Sequence, residues 1–254
     1  MRYALTIDFN GSQFCGWQKQ LEERTVQGEI EQALTRIANQ TITVMGCGRT
    51  DTGVHGRNYV LHTDLPDGTL GKSNDWVYKL NAMLPSDIAV KKITEVSSDF
   101  HARFQAKERS YVYRLRLDKQ VFCADYKAHY KYESQLDLDK LNELSRLFLS
   151  ASDFTRFSKL HGGNKTNLCN LTLCKWVQVS EKEFHFEIAA DRFLRGMVRL
   201  IVGTHLNYHR GKITLRDVQD ALEILKPLPI VWSVDASGLC FDSVTFDNIS
   251  LTLE

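Results

Sequence analysis

The chain has 254 residues, of which 43% are hydrophobic and 25% are charged, and its formal net charge at pH 7 is +1. This length and composition are typical of a globular protein with one large domain or two modest ones, and they exclude the disordered and fibrous classes. The small net charge excludes a uniformly basic protein, and no apolar run approaches the ~18 residues of a membrane-spanning helix.

The first half of the chain mixes predicted strands with predicted helices. Apolar residues alternate in the strand segments and recur every three or four positions in the helical ones. The predicted strands are residues 3–9, 42–47, 58–63 and 88–96, and the predicted helices are residues 26–38 and 75–83. Thr25 belongs to the residue types that cap helix N-termini, so the first helix should begin directly after it.

The second half shows the same mixture. The predicted strands are residues 109–117, 171–179, 184–190 and 244–253, and the predicted helices are residues 138–149, 193–206 and 215–225. The helix over 193–206 is apolar on most sides, which predicts that it is buried. Thr214 and Asp217 have the spacing of a capping box. Both halves favour an α+β fold with helices on one side of an antiparallel sheet, and we expect two domains, 1–105 and 106–254.

The segment GCGRTDTGVHG, residues 46–56, lies between two predicted strands and is expected to be a loop. It lacks the third glycine of a dinucleotide fingerprint, and Val54-His55 stands where a P-loop requires Lys-Ser/Thr. Two interpretations of Asp51 remain open from the spacing alone. It is either an exposed, preorganised carboxylate fit to act as a nucleophile or base, or part of a tight turn that bonds its own backbone.

Three arginines, Arg192, Arg195 and Arg199, have a spacing that can place them on one helical face. Such a row is usually a solvated stripe, but Arg199 lies inside the apolar run MVRLIVG, where a guanidinium needs a carboxylate partner. A close Arg–Asp pair would hold the carboxylate ionised and oriented. Asp51 is the candidate partner if its loop reaches this helix.

Basic residues also surround an aromatic strand and a glycine-containing loop. Tyr111 and Tyr113 lie on one face of the strand, a pattern that suits either base stacking beside phosphate contacts or core packing with a solvated opposite face. The flanking basic residues of the strand are Lys107, Arg109, Arg114 and Arg116, and those of the loop are Arg156, Lys159, His161 and Lys165. The loop either follows a nucleic-acid backbone or is simply flexible.

Metal and disulfide chemistry are not expected. The six cysteines form no C-x-x-C pair, so we predict reduced thiols in a cytoplasmic protein. The pair His205 and His209 has helical i, i+4 spacing, but no third ligand or general base stands near it in the sequence. Trp17, after a glycine turn, is predicted to pack in the core.

Taken together, these segments resemble the tRNA pseudouridine synthase A family over essentially the whole chain. The matching blocks occur in the family's order, and the R-T-D-x-G-V-H block is the most specific of them. They are FNGSQFCGWQKQ, TVQGEIEQAL, GCGRTDTGVHG, LNAMLPSDIAV, FHARFQAKERSYVYRL, DFTRFSK, FLRGMVRLIVGT and GLCFDSVTF.

The resemblance implies roles for individual residues. Asp51 is implied to be the catalytic carboxylate, Arg199 its ion-pair partner, and Tyr111 the ring that packs on the target base, while Arg49 helps to displace that base from its stem. Further candidates for RNA contact are His55, Arg57, Arg109, Arg114, Lys159, Lys165, Arg192 and Arg195.

The resemblance also implies the fold, the reaction and the partners. The expected fold is two ferredoxin-like halves whose strands join in one mixed or antiparallel central sheet with a central basic cleft. The expected activity is isomerisation of uridine to pseudouridine at positions 38, 39 and 40 of the tRNA anticodon stem-loop, by a homodimer that needs no cofactor or metal. Two other classes of function remain to be separated from it by experiment. They are an RNA-binding module in which Asp51 is only structural, and an Asp-dependent hydrolase of small nucleosides.

Overall fold

The computed structural model describes residues 1–66, 76–119, 121, 126–131, 135–159, 165–247, 249 and 251. These residues contain nine β-strands and five α-helices, and the chain divides into two units. The first unit comprises residues 1–109 and 240–254, and the second comprises residues 110–239. The last 15 residues of the chain, 240–254, therefore belong to the first unit and not to the second.

The first unit has the strand order of a ferredoxin-like fold. Its sheet runs β4-β1-β3, β2 also pairs with β3, and all of these pairs are antiparallel. The elements are β1 (Arg2–Phe9), α1 (Val26–Ala38), β2 (Val44–Gly46), β3 (His55–Asp64), α2 (Trp76–Met83) and β4 (Ile88–Val96). This arrangement confirms the expected ferredoxin-like architecture here and places the glycine-rich segment between β2 and β3.

The last strand, β9 (Leu239–Phe246), adds a parallel neighbour to β3. His55 pairs with Cys240 and Gly56 with Phe241, so β9 meets β3 where β3 leaves the glycine-rich segment. A parallel pair among antiparallel ones makes the sheet mixed, as expected from the resemblance.

The second unit also mixes strands and helices, with two strands before its first helix and two helices after its last strand. Its strands follow the order β5-β8-β7, with the short β6 parallel to β5 and with β7 antiparallel to β8. The elements are β5 (Ala106–Arg116), β6 (Ala128–His129), α3 (Leu138–Leu149), β7 (Leu171–Ser180), β8 (Glu183–Ala190), α4 (Met197–His209) and α5 (Leu215–Glu223). The first four residues of β5 belong to the first unit.

Helix starts follow the capping chemistry that the sequence predicted. The Thr25 hydroxyl accepts from the backbone N–H of Gly28 at 3.2 Å at the start of α1. Thr214 and Asp217 form a complete capping box before α5. Ten of the thirteen residues of α4 are buried, which confirms the predicted burial of that helix.

Two predicted elements begin four or five residues away from the observed ones. Helix α4 begins at Met197, not at residue 193, because Gly196 has a φ of +71°, which interrupts a right-handed helix. The last strand begins at Leu239, five residues earlier than predicted, and its predicted end falls partly on residues 248, 250, 252 and 253, outside the described residues.

No helix in the described part of the chain is long and apolar enough to cross a membrane.

Candidate active site

Asp51 lies in a turn of the glycine-rich loop that connects β2 with β3. The backbone N–H of Val54 donates to the carbonyl of Asp51 at 3.1 Å, which closes the turn. Asp51 is half-buried, and its neighbours Arg49 and Thr52 are exposed. The loop therefore presents charged side chains near the surface of the first unit while its backbone is constrained.

A second segment, residues 10–17, constrains that backbone directly. The N–H of Trp17 donates to the carbonyl of Thr50 at 3.2 Å, and the N–H of Gly53 donates to the carbonyl of Phe14 at 3.3 Å. These bonds lie on both sides of Asp51 in the sequence. A residue between two anchored carbonyl and amide groups has little freedom to change its backbone angles, so its side chain starts from a fixed position.

Two glycines make this close approach of the segments possible. A Cβ atom at Gly11 would lie 2.0 Å from the carbonyl oxygen of Val54. Gly16 has a φ of +85°, and a Cβ atom there would lie 2.5 Å from the carbonyl oxygen of Thr50. Any other residue at either position would push the loop away, which explains two glycines of the FNGSQFCGW block.

Tyr59 of β3 fixes the beginning of the glycine-rich loop through hydrogen bonds to Gly48. Its hydroxyl donates to the carbonyl of Gly48 at 2.5 Å and accepts from the N–H of the same residue at 3.3 Å. Its ring packs against Trp17, with ring centroids 4.4 Å apart, and both side chains are buried. The predicted core position of Trp17 is confirmed.

Arg109 also anchors the glycine-rich loop, through the backbone carbonyl of Cys47. Its guanidinium donates to the carbonyl of Cys47 from two nitrogens, at 3.0 and 3.1 Å, and Nη2 also donates to the carbonyl of Arg103 at 2.6 Å. Because this guanidinium is engaged by backbone carbonyls, it acts as part of the scaffold. Its expected contact with RNA remains a prediction.

Two other predicted RNA-contact residues of the first unit have defined partners. His55 is 1% exposed, and its Nδ1 accepts from the N–H of Gly11 at 3.1 Å, so it helps to fix the end of the loop. Arg57 is exposed and pairs with Asp242 at 2.6 Å. The structure thus gives His55 a positioning task, and contact of His55 or Arg57 with substrate stays a prediction.

Arg199 lies on α4 in the second unit and is half-buried. Its Nε donates to the carbonyl of Val234 at 2.7 Å, and the N–H of Val234 donates back to the carbonyl of Arg199 at 3.3 Å. One turn further along α4, a Cβ atom at Gly203 would lie 1.8 Å from the carbonyl oxygen of Trp232. Segment 232–234 therefore lies against α4 and sets the direction of the Arg199 side chain.

The aromatic strand of the second unit contains two buried tyrosines. Tyr111 is 8% exposed, and its ring meets that of Phe193 edge to face, with centroids 5.1 Å apart. Tyr113 is 1% exposed, and burial raises the pKa of its phenol far above the ordinary value. Both tyrosines are therefore buried, as the core-packing interpretation required, and Tyr111 is the more exposed of the two.

The remaining basic candidates of the second unit lie near its surface. Arg195, Lys159 and Lys165 are exposed, whereas Arg192 and Arg114 are half-buried. The N–H of Lys159 donates to the carbonyl of Arg195 at 2.9 Å, which brings the loop before residue 160 close to the start of α4. His161 and its two neighbouring glycines lie outside the described residues.

The two histidines of α4 have structural partners. Nδ1 of His205 lies 2.9 Å from the carbonyl of Ile201, and Nε2 lies 3.0 Å from the hydroxyl of Ser145. Nε2 of His209 accepts from the N–H of Asp137 at 2.9 Å. Within the part of the chain that the structure describes, no three His, Cys, Asp or Glu side chains form a possible metal site.

Each unit therefore holds part of the predicted site. Asp51, Arg49, His55 and Arg57 belong to the first unit, and Tyr111, Lys165, Arg195 and Arg199 to the second. The pairing of Asp51 with Arg199 stays a prediction. Sequence reasoning missed the anchoring groups Gly11, Gly16, Tyr59 and Val234. Of these groups, only the two glycines could have been found from the sequence, because they lie on either side of a turn in the block that contains Trp17.

Comparison with known proteins places these features in a family. A family model described as tRNA pseudouridine synthase matches residues 5–105 and 145–247. Three relatives carry the name tRNA pseudouridine synthase A. The chain is 39% identical to that of Porphyromonas gingivalis over 87% of this chain and 88% of that protein. It is 38% identical to that of Parabacteroides distasonis over 96% of each, and 40% identical to that of Bacteroides fragilis over 87% of each.

Proposed function

Since the chain belongs to the tRNA pseudouridine synthase family, we propose that it isomerises uridine to pseudouridine in tRNA. The observation that carries this proposal is the anchored turn around Asp51, whose backbone is bonded to segment 10–17 through Thr50 and Gly53. A carboxylate on a fixed backbone close to the surface is what an attack on a positioned nucleotide requires.

The finer assignment rests on the resemblance of the sequence blocks. The substrate is the anticodon stem-loop, with positions 38, 39 and 40 as the modified uridines, and the enzyme acts in the cytoplasm as a homodimer. Exposed basic residues in both units, among them Arg49, Arg57, Lys165 and Arg195, supply the positive charge that RNA binding needs. Affinity for tRNA should therefore fall as the salt concentration rises.

The reaction begins with removal of the uridine from its stem. The glycosidic bond of a stacked base is inaccessible, and flipping the nucleotide out costs a few kcal/mol. The exposed Arg49, two residues before Asp51, occupies the vacated space and contacts phosphate. Tyr111 offers a flat apolar face to the flipped uracil, and the edge-on Phe193 ring keeps the plane of that tyrosine fixed.

The isomerisation exchanges one bond for another without net gain or loss of atoms. The C1′–N1 bond breaks, the uracil rotates, and a C1′–C5 bond forms, after which C5 loses its proton and N1 carries one. The Asp51 carboxylate promotes the first step, either by abstraction at C2′ through a glycal or by direct attack on the sugar or base. Arg199 holds that carboxylate ionised, and Tyr111 or Asp51 accepts the C5 proton.

The decisive experiment uses tRNA labelled with tritium at uridine C5. The protein should release the label, and Asp51→Asn should release none while it still binds the tRNA. Asp64→Asn is the matched control, because it changes another carboxylate of the same unit that pairs with Arg2 at 2.7 Å on the surface. It should leave the release rate within about twofold, since an exposed ion pair contributes little.

The same assay separates the other classes of function. A protein that only binds or folds RNA would retain tRNA without releasing tritium, and a nucleoside hydrolase would convert free uridine to uracil. Because pseudouridine has the same mass as uridine, the modified positions would be located by carbodiimide derivatisation of the treated tRNA followed by primer extension. Label release by Asp51→Asn at the wild-type rate would refute the catalytic role of this carboxylate.

A further inference from the structure

Phe104 is an apolar ring that the first unit holds in the solvent. It is 76% exposed, which together with Tyr78 makes it one of the two most exposed aromatic side chains of the described residues. Single exposed apolar residues are common on protein surfaces and need no explanation by themselves. The surroundings of Phe104, however, differ from those of an ordinary surface side chain.

The loop that carries Phe104 is closed by its own hydrogen bonds. Nδ1 of His101 accepts from the N–H groups of Arg103 and Phe104 at 3.2 and 3.3 Å. The Gln105 side chain accepts from the N–H of His101 at 3.1 Å and donates to the carbonyl of Asp99 at 3.2 Å. The position of the ring is therefore set before any ligand arrives, which lowers the entropic cost of using it for binding.

One face of the Phe104 ring already has an aromatic partner. The His101 ring stacks on it, with centroids 4.3 Å apart and planes inclined by 29°. The guanidinium of Arg103 lies 5.7 Å from the ring centroid. A flat ring supported on one side by another ring, with a cation beside it, matches the pairing of aromatic and basic groups that binds unpaired nucleic-acid bases.

The ring is also tied to the loop that contains Asp51. Nη2 of Arg109 donates both to the carbonyl of Arg103 and to that of Cys47, at 2.6 and 3.0 Å. A single nitrogen atom thus joins the residue before Phe104 to the glycine-rich loop. The backbone next to the exposed ring is therefore held to the same guanidinium as the start of the glycine-rich loop.

We propose that Phe104 is a stacking platform for an unpaired base of the substrate RNA, next to the stem from which the uridine is flipped. This inference rests on the proposed function, because it takes tRNA as the ligand. The aromatic face fits a base, and the adjacent Arg103 fits a phosphate. An apolar segment of a protein partner would use the ring without needing the cation.

The test measures tRNA binding and tritium release by Phe104→Ala, Phe104→Leu and Phe104→Trp. Loss of one stacked base should raise Kd and KM about tenfold in the alanine and leucine variants, and tryptophan should restore them. Tyr78→Ala is the matched control, with the same exposed fraction in the same unit but on α2. It should bind and react as the wild type does.

A spectroscopic reading identifies the base itself. 2-Aminopurine placed in turn at each unpaired position of the anticodon loop should be quenched on binding at one position, and this quenching should disappear in Phe104→Ala. Arg103→Ala should instead reduce the salt dependence of binding by about one phosphate contact. Thermal unfolding of every variant should match that of the wild type, since Phe104 is exposed.

The outcomes separate this inference from the function on which it rests. Wild-type affinity in Phe104→Ala, with Asp51→Asn inactive, overturns the stacking platform and leaves the synthase intact. Full recovery by leucine also overturns it, because an apolar contact with any partner would then suffice. Absence of tritium release from the wild type refutes the proposed function itself.

Discussion

The two units hold their candidate side chains by opposite means. Asp51 lies in a loop whose position depends on hydrogen bonds from segment 10–17, from Tyr59 and from Arg109. Arg199 lies on α4, a helix that is buried over most of its length, and a hydrogen bond to Val234 helps to set the direction of its side chain. A loop that carries a reactive group must be anchored from several sides, whereas a buried helix supplies most of that rigidity itself.

Both arrangements nevertheless depend on a glycine that allows two backbones to touch. Gly11 admits the carbonyl of Val54, and Gly203 admits the carbonyl of Trp232. The difference lies in what a side chain at each position would displace. At Gly11 it would move the exit of the Asp51 loop, and at Gly203 it would move the segment that orients Arg199.

The largest expected effect comes from filling these two positions. Gly11→Ala and Gly203→Ala each force a Cβ atom to within 2.0 Å of a backbone oxygen. We expect each to lower the free energy of unfolding by about 3 kcal/mol, as overpacking does, and to reduce tritium release about 100-fold. Urea denaturation and the release assay measure the two quantities.

Gly48→Ala is the control for both, because nothing lies within 4 Å of a Cβ atom there although the residue belongs to the same glycine-rich loop. Its unfolding free energy should stay within about 0.5 kcal/mol of the wild type. If Gly11→Ala were as stable as Gly48→Ala, the close approach of the two segments would be of no energetic importance.

Acid should destabilise both units through a buried histidine. Burial lowers the pKa of His205 to about 4 in the second unit and that of His62 to about 4 in the first. The unfolded chain takes up these protons near pH 6.5 and the folded chain does not, so stability is complete above pH 6.5 and is lost as the pH falls towards 4. For the fully buried His205 we expect a loss of about 2 kcal/mol between pH 7.5 and pH 5.

Urea denaturation tests this predicted loss of stability. It is measured at pH 7.5 and pH 5 in the wild type and in His205→Phe. Phenylalanine fits the surrounding rings of Phe148, Trp176 and Phe186. The variant should lose less stability on acidification than the wild type, and His62→Phe should do the same for the first unit. An unchanged pH dependence in both variants would mean that other groups cause the acid sensitivity.

A smaller effect is expected from removal of a single anchor of the Asp51 loop. Tyr59→Phe deletes the hydroxyl that bonds Gly48 and leaves the ring contact with Trp17 in place. The cost should be about 1 kcal/mol of stability, with a several-fold lower rate of tritium release. Tyr3→Phe, which removes a hydroxyl whose acceptor is a methionine sulfur at 3.6 Å, should be neutral in both measurements.

The smallest change in stability is expected at the surface pair of Arg57 and Asp242. Arg57→Ala should lower the unfolding free energy by less than about 1 kcal/mol, because the Arg57 side chain is 56% exposed although that of Asp242 is only 21% exposed. If Arg57 contacts tRNA, the same variant should weaken binding several-fold and reduce its salt dependence. Filter binding over a range of salt concentrations would decide the matter, and an unchanged salt dependence would remove Arg57 from the RNA-binding surface.

The sequence predicted those parts of the fold that depend on local chemistry. The bounds of α3 agree with the prediction because its apolar period, and the Asp137 side chain that caps it by accepting from the N–H of Lys140, act within a few positions. The caps at Thr25 and Thr214 were predictable for the same reason. The start of α4 was not, because periodicity continues through residue 196, while the positive φ of Gly196 shows only in the folded chain.

The candidate site was predictable only in its residue types. The RTD block, the arginine within an apolar run and the aromatic strand mark Asp51, Arg199 and Tyr111, and the family resemblance gives them roles. The groups that position them come from elsewhere in the chain. Val234 lies 35 residues from Arg199. No local pattern encodes such contacts, since they depend on how the chain returns on itself.

The parallel pairing of β9 with β3 has a consequence for biosynthesis. His55 and Gly56, where the Asp51 loop ends, lie opposite Cys240 and Phe241. Folding can begin on the ribosome as the first residues emerge. A nascent chain that has not yet reached residue 240 nevertheless lacks this neighbour of β3. The loop that carries Asp51 thus acquires this neighbour only late in translation, which ties completion of the candidate site to synthesis of the second unit.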